Sequence, residues 1–239
     1  NRVANMRNLF FIPSNGPDYC KQGLASEKHW KKGFSAIAMS HSWSDSVDGF
    51  PKEIRDIFRV SGLELFRDIK FLLGIPEYKV PLPGGNRPSQ TDLFVLANCN
   101  SDLVTICVEG KVLEDFGQTI EEWSKDKSEG KSERFDFLCK MLNIEILDNL
   151  NGHRYQLLHR TVSALIEACR YHSNHAVMLV HSFSQEDAHF EDYYKFVKLL
   201  NPKIEPKINS IYLLKNLNGK NLYAGWIRGD KKYLFQESN

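Results

Sequence analysis

The sequence has no apolar run long enough for a membrane-spanning helix, since its longest apolar stretches, such as residues 176–180, have the length of a strand. Its five cysteines are odd in number and widely spaced, and no C-x-x-C pair occurs, which argues against a disulfide framework or a zinc site. Neither sign of charge dominates, because 31 basic and 30 acidic residues leave a formal net charge of +1. A strongly basic nucleic-acid-binding protein is therefore disfavoured, although a local basic patch would be enough for such binding.

The chain does contain enough apolar material for a packed core, with 42% hydrophobic and 12% aromatic residues in a length of 239. This composition excludes a disordered chain, and a chain of this size needs no disulfide or metal to fold. No internal repeat or linker divides the sequence, so we expect one α/β domain over residues 1–239, with its core at about 35–200. Reduced thiols and the lack of a signal-peptide pattern predict a cytoplasmic protein.

Apolar periodicity and turn residues predict an alternation of helices and strands. Helices are expected at 35–47, with Ser35 as the N-cap, and at 51–60, 119–124, 132–142, 155–171 and 190–200. Strands are expected at 9–12, 91–97, 103–112 and 175–183, followed by a hairpin of 211–214 and 222–228 around Asn218-Gly219. Residues 66–80 are ambiguous, with strand character near 69–73 and 78–80.

Two carboxylates and a lysine lie at the ends of the two clearest strands, 91–97 and 103–112. If these strands form a hairpin, Asp92 lies directly opposite Glu109, and opposed residues share one face of a sheet. Lys111 lies two residues beyond Glu109 on that same face. Paired carboxylates can hold a hard cation such as Mg²⁺, and a nearby ammonium can orient or deprotonate a water molecule. On spacing alone, a surface salt bridge between Glu109 and Lys111 is the favoured interpretation. Apolar residues on both faces of the two strands predict that they lie inside the sheet, and together with the opposed register they make the two interpretations equal.

The pair Thr91-Asp92 followed by Glu109-Gly110-Lys111 resembles the motif of the PD-(D/E)XK nuclease superfamily, which includes restriction, recombination and repair nucleases. The resemblance implies a restriction-endonuclease-like fold, with a mixed central sheet flanked by helices. Its core would be a helix, a three-strand meander, a crossover helix at 155–171 and a fourth strand at 175–183. The helices from 119 to 142 would then be an insertion, and the predicted C-terminal hairpin would follow the core.

The resemblance also implies roles for individual residues. Asp92 and Glu109 would be metal ligands, the Gly110 carbonyl would be a backbone ligand, and Lys111 would be the catalytic lysine. The implied cofactor is Mg²⁺ or Mn²⁺. Thr91 stands where the motif name has Pro, at a position that the superfamily keeps loosely. Many members also carry a Glu on the first helix, for which Glu53 and Glu64 are the candidates.

The predicted helix at 155–171 carries a polar stripe at helical spacing, formed by Gln156, His159, Arg160, Ser163 and Glu167. Such a stripe is typical of a solvated helix face. Alternatively, Gln156, His159 and Arg160 border the metal site and contact phosphate, for which the planar guanidinium of arginine is well suited. Gln118, just beyond the motif, is a further candidate for substrate binding.

More widely, the chain resembles an uncharacterised bacterial protein family. The segments that carry this resemblance span most of the chain, and they are Lys28-His29-Trp30, His41-Ser42-Trp43, Val80-Pro81-Leu82-Pro83-Gly84-Gly85, Tyr155-Gln156-Leu157-Leu158-His159-Arg160 and His181-Ser182-Phe183-Ser184. This second resemblance implies little about a substrate.

Together these features predict metal-dependent hydrolysis of phosphodiester bonds in nucleic acid by a DNA endonuclease, with restriction or defence as a further expectation. A homodimer would supply one site for each strand of a duplex, although the sequence does not show one, and no membrane partner is expected. Two alternatives stay open. One is a catalytically silent nuclease-like fold that binds nucleic acid or protein, and the other is a hydrolase of small phosphorylated or nucleotide substrates.

Overall fold

A computed structural model describes residues 30–126, 128–145 and 150–236. Its helices are α1 (Ser35–Ser44), α2 (Lys52–Val60), α3 (Ile120–Ser124), α4 (Glu129–Leu142), α5 (Tyr155–Arg170) and α6 (Phe190–Leu200). Short 3₁₀ turns lie at Glu64–Phe66 and Lys231–Phe235. None of the helices in these ranges is long and apolar enough to cross a bilayer. The strand expected at 9–12 lies outside the described residues.

The strands form one six-stranded sheet in the order β1-β2-β3-β4-β6-β5. They are β1 (Lys70–Val80), β2 (Ser89–Cys99), β3 (Asp102–Lys111), β4 (His175–Ser182), β5 (Ser210–Leu217) and β6 (Lys220–Arg228). The first three strands are an antiparallel meander, β4 pairs parallel with β3, and β6 pairs parallel with β4 and antiparallel with β5. The prediction of an α/β fold with a mixed central sheet flanked by helices is confirmed at this level.

The predicted hairpin of β2 and β3 has the expected register, which runs from Leu93 paired with Val108 to Cys99 paired with Asp102. Asn100 takes a left-handed conformation with φ of 55°, as tight two-residue turns require, and asparagine tolerates this conformation better than most residues. Both strands are interior to the sheet, as their apolar residues on both faces predicted.

Two apolar layers cover the two faces of the sheet. Phe94 packs in the layer that contains the apolar side of α5, whereas Val95 packs in the layer that contains α1 and α2. The crossover helix α5 connects β3 to the parallel strand β4, as the β-α-β connection of parallel strands requires. One end of α5 therefore lies beside the end of β3, where the charged residues of the motif are found.

The structure differs from the sequence-based expectations in several places. The helix expected at 35–47 ends at Ser44. Residues 70–80 form one continuous strand, because pairing with β2 overrides the local break at Gly74 and Pro76, and Pro76 is tolerated on an edge strand. Ser35 is not the N-cap of α1, since Phe34 occupies that position. The Ser35 backbone N–H instead donates to Glu114 Oε1 at 2.8 Å, so a carboxylate from the loop after β3 satisfies the helix terminus.

Candidate functional site

A cleft of about 560 Å³ opens at the end of the sheet where β2 begins and β3 ends. Its walls also include the N-terminal residues of α1 and the first turns of α5. It brings together most of the residues that the sequence singled out for a site, which are Asp92, Glu109, Gly110, Lys111, Gln118, Gln156, His159 and Arg160. These residues come from three separate segments of the chain, and the sheet and the crossover helix place them side by side.

Two side chains of β2 form hydrogen bonds with the backbone of β3, next to the last paired residues of the hairpin, Leu93 and Val108. Thr91 Oγ1 donates to the Val108 carbonyl at 2.9 Å, and the Gly110 N–H donates to Asp92 Oδ2 at 2.7 Å. The pKa of Asp92 is raised to about 8, first by burial and then by the negative charge of Glu109. A further positive charge beside Asp92 would therefore lower its pKa and favour the ionised carboxylate.

Glu109 and Lys111 form a buried ion pair rather than a surface one. Lys111 Nζ lies 2.7 Å from Glu109 Oε1, and the two residues are 4% and 3% exposed. The Lys111 ammonium also lies 4.8 Å from the centre of the Phe116 ring. The interpretation as a solvated salt bridge is therefore wrong, and both charges are held in fixed positions at the end of β3.

The polar stripe of α5 faces the sheet, and the alternative of a solvated helix face is wrong for Arg160, Ser163 and Glu167, which are buried. Arg160 Nε donates to Glu109 Oε2 at 2.6 Å, and Gln156 Nε2 donates to Glu109 Oε1. Burial alone would raise the pKa of Glu109, but the charges of Lys111 and Arg160 outweigh it and hold that pKa below its ordinary value. Glu109 is thus a fixed carboxylate anion.

Gly110 stands between the two charged residues of β3 because the first helix approaches its backbone closely. A Cβ atom at this position would lie 3.1 Å from Met39 Sδ and 3.3 Å from Ser35 Cβ, both on α1. It would also lie 3.4 Å from Asp92 Oδ2. The absence of a side chain lets α1, β2 and β3 converge at the cleft.

The sequence reasoning missed Glu77, a further carboxylate in the cleft. Glu77 lies on β1 between the paired residues Pro76 and Tyr78, which places it across from Asp92 in the register of β1 and β2. Gln90 Nε2 donates to Glu77 Oε2 at 2.6 Å, while burial and the negative charge of Glu109 help to raise the pKa of Glu77. Its φ of 52° is unusual for a glutamate. No sequence signal marked it, because the extent of β1 was ambiguous.

Gln118, Glu53 and Glu64 lie at the edge of the cleft or outside it. Gln118 is exposed at the rim of the cleft, and its backbone carbonyl accepts the Tyr155 N–H at 3.1 Å. Glu53 is bonded to His181 Nε2 at 3.0 Å, and Glu64 pairs with Arg67 on the surface. Neither of these two first-helix candidates is among the described residues that line the cleft.

The charge balance of the cleft fits a divalent cation. Its lining contains two cations, Lys111 and Arg160, and a larger set of carboxylates, which is Glu77, Asp92, Glu109, Glu114 and Asp115. Among the described residues no cluster of three or more His, Cys, Asp or Glu side chains has the geometry of a metal site. Mg²⁺ is commonly held by one or two carboxylates and keeps several water ligands, and carboxylates of this kind line the cleft.

Comparison with known proteins gives a family match over most of the chain. The model of a family described as Domain of unknown function (DUF6946) matches residues 13–231. No curated protein and no solved structure matches the chain.

Proposed function

The chain belongs to the DUF6946 family, and we propose that it is a divalent-metal-dependent nuclease with a PD-(D/E)XK core that cleaves phosphodiester bonds in DNA. The observation that carries the proposal is the convergence of Asp92, Glu109 and Lys111 on one cleft at the end of β2 and β3. The order of elements supports it, because helices precede an antiparallel meander, a crossover helix follows, and β4 joins parallel to β3. A role in restriction or defence and action as a homodimer are further parts of this proposal.

Asp92, Glu109 and the Gly110 carbonyl would hold the metal ion. Glu109 already accepts bonds from Lys111, Gln156 and Arg160, but a carboxylate has about four lone-pair sites and retains capacity for an ion. When bound, Mg²⁺ or Mn²⁺ would supply Lewis-acid stabilisation of the phosphate and a more acidic water molecule. The excess of carboxylates in the cleft would repel a phosphodiester without that cation.

The residues of the chain divide the remaining tasks between them. Arg160 and Gln156 fix the orientation of Glu109, so that its carboxylate needs little rearrangement when an ion binds. Lys111 holds an ammonium beside that carboxylate, where it would orient the attacking water or contact the phosphate. Glu109 and Lys111 are both buried, and the low-dielectric environment strengthens the interaction between their charges.

The test pairs Mn²⁺ titration by calorimetry with a plasmid-nicking assay on the same samples. Asp92→Asn removes the charge and keeps the shape, so it should abolish both Mn²⁺ binding and nicking. Asp126→Asn, at an exposed carboxylate outside the cleft, should leave both unchanged. Wild-type protein that neither binds Mn²⁺ nor nicks DNA would overturn the proposal.

A second candidate function is favoured by one observation, namely that both oxygens of Glu109 already accept hydrogen bonds from protein groups. Such a closed network can serve as the structural centre of a nuclease-like fold that binds nucleic acid or protein without cleaving it. This candidate predicts binding that Lys111→Met leaves intact, in the absence of any metal-dependent nicking.

A further inference from the structure

A chain of hydrogen bonds continues from Glu109 through the wall of the cleft to an imidazole. Arg160, whose Nε is bonded to Glu109, also donates through Nη1 to Ser89 Oγ at 3.0 Å. Ser89 Oγ lies 2.8 Å from His159 Nδ1, and His159 lines the cleft. Ser89 itself is 2% exposed, so its hydroxyl lies between the arginine and the histidine within the protein.

The direction of these hydrogen bonds determines which nitrogen of the His159 ring carries the proton. Arginine only donates, so the Ser89 oxygen accepts from Arg160 and its own O–H is free to donate to His159 Nδ1. Arg160 Nη1 also lies 3.4 Å from His159 Nδ1. A proton on Nδ1 would point at this N–H donor, which would be unfavourable. We infer that Ser89 is a positioning residue that keeps His159 in the Nε2–H tautomer, with Nε2–H as a neutral donor to a phosphodiester oxygen in the cleft.

Two further features keep the imidazole in this state. The Tyr155 ring lies 4.8 Å from the His159 ring, between centroids, and limits its rotation. Burial, followed by the charges of Arg160 and Arg134, holds the pKa of His159 well below its ordinary value. The ring is therefore neutral at neutral pH, and one of its nitrogens must be a donor and the other an acceptor.

A fixed neutral donor suits the chemistry of this cleft. A phosphodiester that is bound to a metal ion still has non-bridging oxygens that accept hydrogen bonds, and a preorganised N–H binds them without a rearrangement cost. The assignment of a phosphodiester as the ligand rests on the proposed function. The tautomer of His159 does not, since it follows from contacts within the protein.

The tautomer is measured directly by ¹⁵N NMR of the histidine rings in the full-length protein without metal. Wild type and Ser89→Thr should show His159 protonated at Nε2, because threonine keeps the hydroxyl. Ser89→Ala should show a mixture with the Nδ1–H form, because the remaining contact of Nδ1 with Arg160 is 3.4 Å long and too weak to hold the tautomer alone. Ser163→Ala is the matched control, since it removes the hydroxyl of a second buried serine, on α5, which donates to the His159 backbone carbonyl and not to the ring.

A wild-type His159 in the Nδ1–H form or as an imidazolium at neutral pH overturns the inference. A Ser89→Ala protein whose His159 is protonated only at Nε2, as in wild type, also overturns it. Urea unfolding of each variant shows whether it is folded, and Ser89→Thr keeps the test valid if Ser89→Ala is not.

The ligand is tested with the dinucleotide dTpT and Mn²⁺. We expect dTpT to shift the His159 Nε2 resonance in wild type. Its affinity should fall in Ser89→Ala in proportion to the fraction of His159 that leaves the Nε2–H form, which is about twofold for an equal mixture. Unchanged affinity in Ser89→Ala would overturn the role of His159 as a phosphate donor. Wild type that does not bind dTpT would overturn the ligand and the proposed function together, whereas the NMR result on the tautomer would stand.

Discussion

The guanidinium of Arg160 on the crossover helix lies 2.6 Å from the carboxylate of Glu109 on β3, and both residues are buried. This ion pair joins the helix to the sheet at the cleft, between residues that are 51 positions apart in the chain. Because both charges are removed from water, Arg160 depends on Glu109 for its stabilisation, and Glu109 depends on both Arg160 and Lys111. The same contact therefore supports the fold and prepares the site.

Replacing Arg160 with alanine should destabilise the protein by about 3–5 kcal/mol, because breaking a buried ion pair leaves Glu109 with one cation instead of two. The free energy of unfolding in urea measures this loss. Arg87→Ala, at an exposed arginine of the loop before β2, should change the free energy of unfolding by less than about 0.5 kcal/mol. Equal effects of the two substitutions would show that the buried pair is not a stabilising contact.

Replacing Lys111 with methionine should abolish nicking and leave the protein folded. Methionine keeps the apolar part of the side chain against Phe116, and Glu109 retains its bonds from Arg160 and Gln156. Plasmid nicking with Mn²⁺ measures the activity, and circular dichroism with thermal unfolding measures the fold. Nicking at the wild-type rate would exclude Lys111 from the reaction.

The hairpin of β2 and β3 could be predicted because its signals are local. Two strand-forming runs separated by the Asn100-Ser101 turn set the register, and the register alone puts Asp92 and Glu109 side by side. The position of Lys111 follows from strand geometry. These are short-range relations, so a sequence is sufficient to establish them.

The partners of this hairpin could not be predicted, because they depend on contacts over long distances in the sequence. Helical periodicity identified the polar stripe on α5 but could not show that it faces Glu109 and not solvent. Ser89 meets His159 across 70 positions of sequence. Glu77 was missed because Gly74 and Pro76 weaken the local strand pattern, and tertiary pairing with β2 overrides that weakness.

Two glycines with left-handed backbones should respond very differently to alanine. Gly117 has φ of 67° and open space around its Cβ position, so Gly117→Ala should cost about 1–2 kcal/mol of stability from backbone strain alone. Gly84 has φ of 74°, and a Cβ there would lie 1.9 Å from the Gly130 carbonyl oxygen on α4. Gly84→Ala should therefore cost about 3–5 kcal/mol. Equal losses in urea unfolding would contradict this close contact.

The free energy of unfolding of the metal-free protein should fall as the pH rises from 3.8, the ordinary pKa of an aspartate, to about 8, the pKa of Asp92 in the folded protein. The pKa of Asp92 is raised from 3.8 to about 8, so between these values the folded state binds more protons than the unfolded state. Urea unfolding in the presence of a chelator measures the slope. Asp92→Asn should flatten it, whereas Asp126→Asn, at a carboxylate that is 99% exposed, should not. Saturating Mn²⁺ should also flatten it, because a cation stabilises the ionised carboxylate.

Replacing Glu77 with glutamine should stabilise the metal-free protein and weaken its binding of Mn²⁺. Burial disfavours the charge of Glu77 and Glu109 repels it, so a neutral amide should raise the free energy of unfolding by about 1 kcal/mol. The lost negative charge should lower the Mn²⁺ affinity by about three- to tenfold in calorimetry. Glu64→Gln is the control, since its carboxylate forms an exposed ion pair with Arg67 and should change neither quantity measurably. A Glu77→Gln protein that is less stable than wild type would show that this carboxylate stabilises the fold.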